Sequence, residues 1–330
     1  MIETPVKKTP GILMFIVMLI IVAFCIITLG ILSYRGFKKE FRLNVENNLN
    51  AISNLKVAEI VQWRRERLGD GLAFSGNQNF SDLVNRFIAS PANPELHGRL
   101  GKWLKQVRSA YTYESILLLD IRGNELISEP LQSNPPPLHL INDIKNLVIT
   151  PKVTFLDFHR DVPDGPIHLG ILIPVQNPGD PGRIIAVMVF VINPEIYLYP
   201  LINTWPTSSQ TAETLLLRRE GDSVLFLNEL KFQKNTALNL CFPLNKISLP
   251  AVRAALGDEG IFTGIDYRGV PVISSLRTIP GSPWFMVARM DVKEVYAPLR
   301  ARLWTMFIVV VLLILSFASL MYTLWTDFDA

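Results

Sequence analysis

The sequence predicts an α+β fold of two tandem modules, each an antiparallel sheet with helices packed on one face. The modules share one long amino-terminal helix and lie between two transmembrane helices. Three observations carry this prediction. Charge-free apolar windows bracket the chain at residues 11–33 and 303–325, a proline-free amphipathic stretch follows the first window, and a strand–glycine–strand pattern occurs twice. Composition agrees: 49% of the 330 residues are hydrophobic and only 18% charged, with a mean hydropathy of +0.28. That is too apolar for an ordinary soluble protein and excludes disordered and fibrous classes. A formal charge of +3, from 32 basic and 29 acidic residues, gives no basic stripe and excludes nucleic acid as the partner. Cys25 lies in the first window and Cys241 stands alone in the folded part, so no disulfide framework exists.

After a 1–10 tail, residues 11–33 are long enough, at about 1.5 Å per residue, to cross a hydrocarbon core of about 30 Å. A cleaved signal peptide would have an apolar core of about 7 to 15 residues and end in a small-x-small site, which residues 30–35 do not offer. The second window, 303–325, carries Trp304, Tyr322 and Trp325 near its ends, as interfacial aromatics should sit, and a 326–330 tail follows. Arg35, Lys38, Lys39, Arg42, Arg300 and Arg302 flank the enclosed domain. Domains much longer than about 60 residues translocate regardless of flanking charge, so charge leaves the orientation open. Beyond the first window, Phe41, Val45, Leu49, Ile52, Leu55, Ile60 and Trp63 recur at mainly three- and four-residue intervals, with no proline from Tyr34 to Ser90. That spacing predicts an amphipathic helix continuous with the span.

The segment Leu117-Leu-Leu-Asp-Ile-Arg-Gly123-Asn124 aligns with Leu215-Leu-Leu-Arg-Arg-Glu-Gly221-Asp222. Each reads as an apolar strand, a glycine turn and a second strand. Further on, residues 185–193 followed by Glu195, Tyr197 and Pro200 match residues 284–291 followed by Glu294, Tyr296 and Pro298. Between the matched ends each copy has room for a helix (138–148; 249–256) and two strands (153–158 and 166–175; 260–267 and 270–278). Proline runs such as Pro135 to Pro137 punctuate the loops.

This layout, with hairpins such as LLLDIRGNELIS and a second span directly after IPGSPWFMVARMDVKEVYAPLR, resembles the double Cache sensor domains. These are relatives of PAS domains found outside the membrane in bacterial and archaeal histidine kinases, diguanylate cyclases and chemoreceptors. The resemblance implies a 34–79 stalk helix, a membrane-distal Cache module at 80–205 that binds a small ligand, and a membrane-proximal module at 206–302. It further implies a multi-pass inner-membrane protein whose large domain faces the periplasm or exterior. Such receptors usually continue into a cytoplasmic output region, and a homodimer pairing through the stalk is the expected assembly here. The sequence stops shortly after the second span, so the expectation is a sensor without an output domain, either a truncated or dissected gene or one working with a separate signalling protein. A membrane-anchored protein-interaction module is the alternative.

Candidate ligand residues fall in the first copy. Asp157 shares strand parity with Val153 and Phe155, which puts an acid on an apolar face, and His168 alternates against Ile167, Leu169 and Ile171. A hairpin turning through residues 161–165 would bring Asp157, His159 and His168 to one pocket wall. The competing reading has Asp157 paired locally and His168 on a solvent face. Trp103, Lys105, Arg108, Tyr111 and Tyr113 form a second cluster, in which Arg108 could grip a carboxylate while the aromatics enclose an apolar body. A helix end followed by core aromatics would look the same. The Tyr-Arg-Trp-Tyr-Asp signature of amino-acid-binding members is not present at recognisable spacing. The ligand therefore stays unnamed, with a small carboxylate preferred.

The G-x-S-x-G, H-E-x-x-H, G-x-x-x-x-G-K-[ST] and C-x-x-C motifs are absent, and no enzyme activity or cofactor is expected. A strand spacing of nine between His159 and His168 matches no established metal-ligand pattern, so no metal is assigned. Trp284 and Phe285 read as core residues.

Overall fold

The computed structural model describes residues 12–131 and 138–329. The 1–10 tail and the Pro135–Pro137 run lie outside the described residues. Apolar residues without interruption, then the amphipathic repeat, produce one helix, α1 (Ile12–Ser75), of 64 residues. Its folded half buries Leu49, Ile60 and Trp63, while Leu55 is exposed and Lys56 is buried instead. Leu55 thus departs from the expected stripe. Lys56 takes the inward position because its ammonium donates to the carbonyls of Leu201, Ile202 and Thr204 at 3.0, 2.7 and 2.7 Å. These acceptors lie at the end of a short helix described below, where the last carbonyls lack intrahelical partners.

Two capped helices follow. In α2 (Gln78–Ala89) the side chain of Asn77 accepts from Phe80 N, and in α3 (Pro94–Tyr111) Asn93 accepts from Glu95 N and Leu96 N with Pro94 opening the first turn. The distal module continues through β1 (Ser115–Leu119), β2 (Glu125–Glu129), α4 (Leu138–Ile149), β3 (Thr154–Arg160), β4 (Ile167–Asn177), β5 (Asp180–Ile192) and α5 (Leu198–Asn203). The proximal module comprises β6 (Glu213–Glu220), β7 (Ser223–Phe226), β8 (Cys241–Pro243), α6 (Pro250–Ala255), β9 (Gly260–Ile265), β10 (Pro271–Thr278), β11 (Trp284–Asp291) and α7 (Val292–Val295). Helix α8 (Ala297–Asp329) then runs through the second apolar window, merging the expected connector and span into one element.

The two sheets have one topology. The distal order is β2-β1-β5-β4-β3 and the proximal order β8-β7-β6-β11-β10-β9, so five proximal strands repeat the distal arrangement and β8 is added at the edge. Every pairing is antiparallel. The hairpin glycines Gly123 and Gly221 stand at φ +90° and +56°, where a side chain would strain the backbone.

Helices cover both faces of each sheet rather than the single face expected. One distal face, including Ile116, Leu118, Ile171 and Phe190, packs on α1, α2 and α3. The other, including Leu117, Leu119, Leu156 and Val189, packs on α4 through Leu140, Ile144 and Leu147. The reason is visible in Leu117-Leu118-Leu119: consecutive apolar residues point to opposite faces of a strand, and both must leave water.

At Gly71 helix α1 closes on the distal sheet. An added Cβ would lie 2.7 Å from Val153 Cγ1 and 3.0 Å from Ile171 Cγ2. Gly98, in α3, has open space around it. The same change should therefore have opposite signs at the two sites. Gly98→Ala should stabilise by about 0.5–1 kcal/mol through helix propensity. Gly71→Ala should lose that gain to overpacking of about 1–3 kcal/mol. Thermal denaturation of the two variants checks this, and a stabilised Gly71→Ala variant would refute the close approach.

Candidate functional site

The α4-covered face of the distal sheet does not close completely. Between α4 and strands β1, β3, β4 and β5 lies a pocket of about 140 Å³. Leu117, Leu140, Leu156 and Val189 form its apolar wall, and Glu114, His159, Asp161 and His168 its polar side. That volume suits a small solute, well below the roughly 300–1,000 Å³ of drug-sized sites.

Strand pairing positions the polar groups. His159 and His168 are direct cross-strand partners, with ring centroids 6.3 Å apart, so the nine-residue spacing is the length of a hairpin returning on itself. His168 is buried. Its Nδ1 lies 3.2 Å from Asp161 Oδ2, and its Nε2 3.4 Å from Glu114 Oε2. Burial favours the neutral ring, but the Asp161 hydrogen bond and the Glu114 charge outweigh it and raise the His168 pKa above the ordinary histidine value. His159 Nδ1 lies 2.8 Å from the Asp157 carbonyl, while its Nε2 is 3.6 Å from Asp161 Oδ1.

Asp157 does not join this wall. The β3–β4 register shifts between Leu156 and His159, and the irregularity turns the Asp157 carboxylate toward the proximal module. There Oδ1 accepts from Trp284 Nε1 at 2.7 Å and Oδ2 meets Arg218 Nη1 at 2.8 Å. Asp157 therefore does not converge with His159 and His168 on one pocket wall. The solvent-face reading of His168 also fails, because α4 covers that face. Around the Asp157 contact, the Arg64 guanidinium lies over Phe155 and Trp284, with 4.1 and 4.4 Å to the ring centroids. The Tyr199 hydroxyl donates to the Leu227 carbonyl at 2.6 Å. Strand β3 therefore carries a pocket residue, His159, two positions from a module-joining residue, Asp157.

The second sequence cluster divides. Trp103 stacks on Phe80 at 4.1 Å between ring centroids and is part of the helical layer. Arg108 reaches Glu129 at 3.5 Å and the Glu114 carbonyl at 3.4 Å, bracing the first hairpin. Tyr111 and Tyr113 line a different cleft of about 340 Å³ with Trp63, Arg67 and Tyr197, on the opposite face of the sheet from His159 and His168. The Tyr113 hydroxyl donates to Asp70 Oδ2 at 2.7 Å, and burial followed by that carboxylate pushes its pKa up. The seven candidates thus fall into a histidine pocket, a tyrosine cleft, a helical core, a hairpin brace and a module junction.

In the proximal module the corresponding space is filled. Strand pairing sets Ser115 opposite Val191 in the distal pocket and Glu213 opposite Arg289 at the same place in the proximal sheet. Fully buried Arg289 is hydrogen-bonded to Glu213, lies 2.9 Å from Asp266 Oδ2 and 3.3 Å from Asp291 Oδ1. Arg268 Nε adds a 2.7 Å contact to Asp266, and the Tyr267 hydroxyl reaches Glu213 at 3.0 Å. Sequence reasoning passed over this network. Its signal was Arg289 at the same strand parity as Phe285 and Val287, opposite an acid that opens the matching strand.

No family model matches the sequence, and no curated protein matches it either. Solved structures do. The ligand-binding domain of the Pseudomonas fluorescens chemoreceptor CtaA, in complex with L-serine, is 15% identical at a TM-score of 0.50, covering 76% of this chain and 98% of its own. That of the Pseudomonas aeruginosa amino acid chemoreceptor PctB, in complex with L-arginine, is 14% identical at 0.52, covering 77% and 98%. The sensory domain of the Campylobacter jejuni chemoreceptor Tlp3, with isoleucine bound, is 13% identical at 0.54, covering 78% and 97%. The chain has the fold of these chemoreceptor sensor domains, the double Cache fold that its repeated hairpins resemble.

Proposed function

We propose that the protein is a membrane-anchored signal-input receptor whose distal module binds a small extracytoplasmic solute in the pocket beneath α4. The observation that carries this reading is the asymmetry between the modules: the distal pocket is open and polar on one side, while its proximal counterpart is filled by Arg289 and its acids. A protein-interaction module would have no use for that difference. The pocket offers both signs of charge to a ligand, carboxylates from Glu114 and Asp161 and imidazoles from His159 and His168. That mixture suits an amino acid or a related small acid, the class bound in the solved structures of similar fold.

Two helices, 16–75 and 292–324, are long and apolar enough to cross a membrane, and this supports anchoring on both sides of the folded part. Ligand contact with His159 would shift β3, and Asp157 would carry the shift to Trp284 and Arg218 in the proximal module. Any such change is limited to the ligand's differential affinity for the two arrangements. Pairing of two copies through α1 and a separate output protein complete the reading.

The test is thermal denaturation of the full chain in detergent micelles against a panel of amino acids and small carboxylates. A ligand present at 100 times its Kd should stabilise by about 2.7 kcal/mol. Glu114→Gln and Asp161→Asn, both on partly exposed side chains, should leave the unliganded melting temperature in place and weaken the response at least about tenfold. A folded chain that no member of the panel stabilises would overturn the proposal.

A further inference from the structure

From the donor geometry we infer that His159, Asp161 and His168 form a binding site for a divalent transition cation of the zinc class. A donor atom from each residue lies within 4.8 Å of the other two. In a tetrahedral centre with bonds of about 2.0–2.2 Å, neighbouring donors stand about 3.3–3.6 Å apart. The Asp161 carboxylate spans the two histidines at close to that spacing, with Oδ2 3.2 Å from His168 Nδ1 and Oδ1 3.6 Å from His159 Nε2, so a small rotation would present one oxygen to both. Closing the remaining edge needs a movement of about 1 Å, which the partly exposed His159 and Asp161 side chains can make.

The outward nitrogens reinforce the assignment. A backbone carbonyl can only accept, so the 2.8 Å contact to the Asp157 carbonyl makes His159 Nδ1 a donor and aims Nε2, the nitrogen a cation would take, toward Asp161. Glu114 plays the same part for His168. The His168 side chain is more than nine-tenths buried, and its Nε2 faces Glu114 Oε2 at 3.4 Å, neither atom having a hydrogen-bond partner. With a cation on Nδ1, His168 Nε2–H would close on that carboxylate, the arrangement that orients metal-bound histidines and raises their basicity. Two imidazoles and one carboxylate are borderline donors, suited to zinc, cobalt, nickel or copper rather than to magnesium or calcium.

Three protein ligands leave a coordination position open. All three ligands line the pocket, so the small acid of the proposed function would be placed to complete the sphere through its carboxylate or amine. That last step rests on the receptor reading; the cation site itself does not.

The experiment uses the full chain in micelles, purified without a polyhistidine tag and stripped with EDTA. Isothermal titration with Zn²⁺ should show one site per chain, and Co²⁺ should give visible d–d bands that Zn²⁺ abolishes. His159→Gln or His168→Gln should lower Zn²⁺ affinity at least about 100-fold, Glu114→Gln about 10- to 100-fold, and His97→Gln, outside the pocket, should change nothing. Melting temperatures in EDTA confirm that each variant is folded. Equal Zn²⁺ binding by wild type and the two pocket-histidine variants, or no binding by folded wild type, would overturn the inference. Repeating the amino-acid panel with Zn²⁺ and with EDTA separates the two readings. Stabilisation in EDTA without Zn²⁺ binding sinks the cation site alone, and Zn²⁺ binding with silence across the panel sinks the receptor reading alone.

Discussion

Arg289→Met should be among the most destabilising single changes in the chain, costing about 3–5 kcal/mol. Arg289 is fully buried against Glu213, Asp266 and Asp291, and Glu213 and Asp266 are themselves buried. Removing the guanidinium leaves Glu213 with the Tyr267 hydroxyl and the Lys231 amide, and Asp266 with Arg268 and the Val270 amide, so a buried negative charge loses its central countercharge in a low-dielectric interior. The penalty arises from stranded charge rather than from the strength of the pair. A combined Arg289→Met, Glu213→Leu, Asp266→Asn variant should therefore recover much of the loss. Thermal denaturation of both variants checks this, and a single variant as stable as wild type would show that water reaches the network.

The second large effect is expected at Trp284. Its side chain is fully buried at the junction, packed near Phe155 and Phe158 with ring centroids 6.0 and 5.0 Å away, and its indole N–H is held by Asp157. Trp284→Ala should cost about 3–5 kcal/mol through the cavity and the lost hydrogen bond. Trp284→Phe, which keeps most of the packing, isolates the bond, and about 1–2 kcal/mol is expected because a carboxylate acceptor is left short of a donor. The two modules should then melt in separate transitions in Trp284→Ala. A single cooperative transition at the wild-type temperature would mean that Trp284 is not what couples them.

The architecture was largely legible in the sequence because its signals are local. Charge-free windows, three- and four-residue apolar spacing and the Leu117/Leu215 hairpins each depend on neighbours within a few positions. The site was legible only in part. His159 and His168 could be placed opposite each other once residues 161–165 were read as a turn, since cross-strand register follows from a hairpin. The path of Asp157 could not, because a register shift reverses which face a residue meets and strand alternation assumes that no shift occurs. Trp103 and the two tyrosines are near in sequence yet divide, since Trp103 stacks on Phe80 inside the helical layer while Tyr111 and Tyr113 flank Thr112, at φ +59°, where α3 ends beside the cleft. Glu114 escaped notice because one acid before a strand resembles many others until His168 is set beside it.

The unbroken course of α1 limits how this protein can tolerate insertions and deletions. A straight α-helix advances about 1.5 Å and turns about 100° per residue. One residue gained or lost between the bilayer and the first folded contacts would swing the entire head by more than a quarter circle against the paired α8, where Arg302 lies over Phe37. Only changes of about seven residues, two full turns, would restore the original phase.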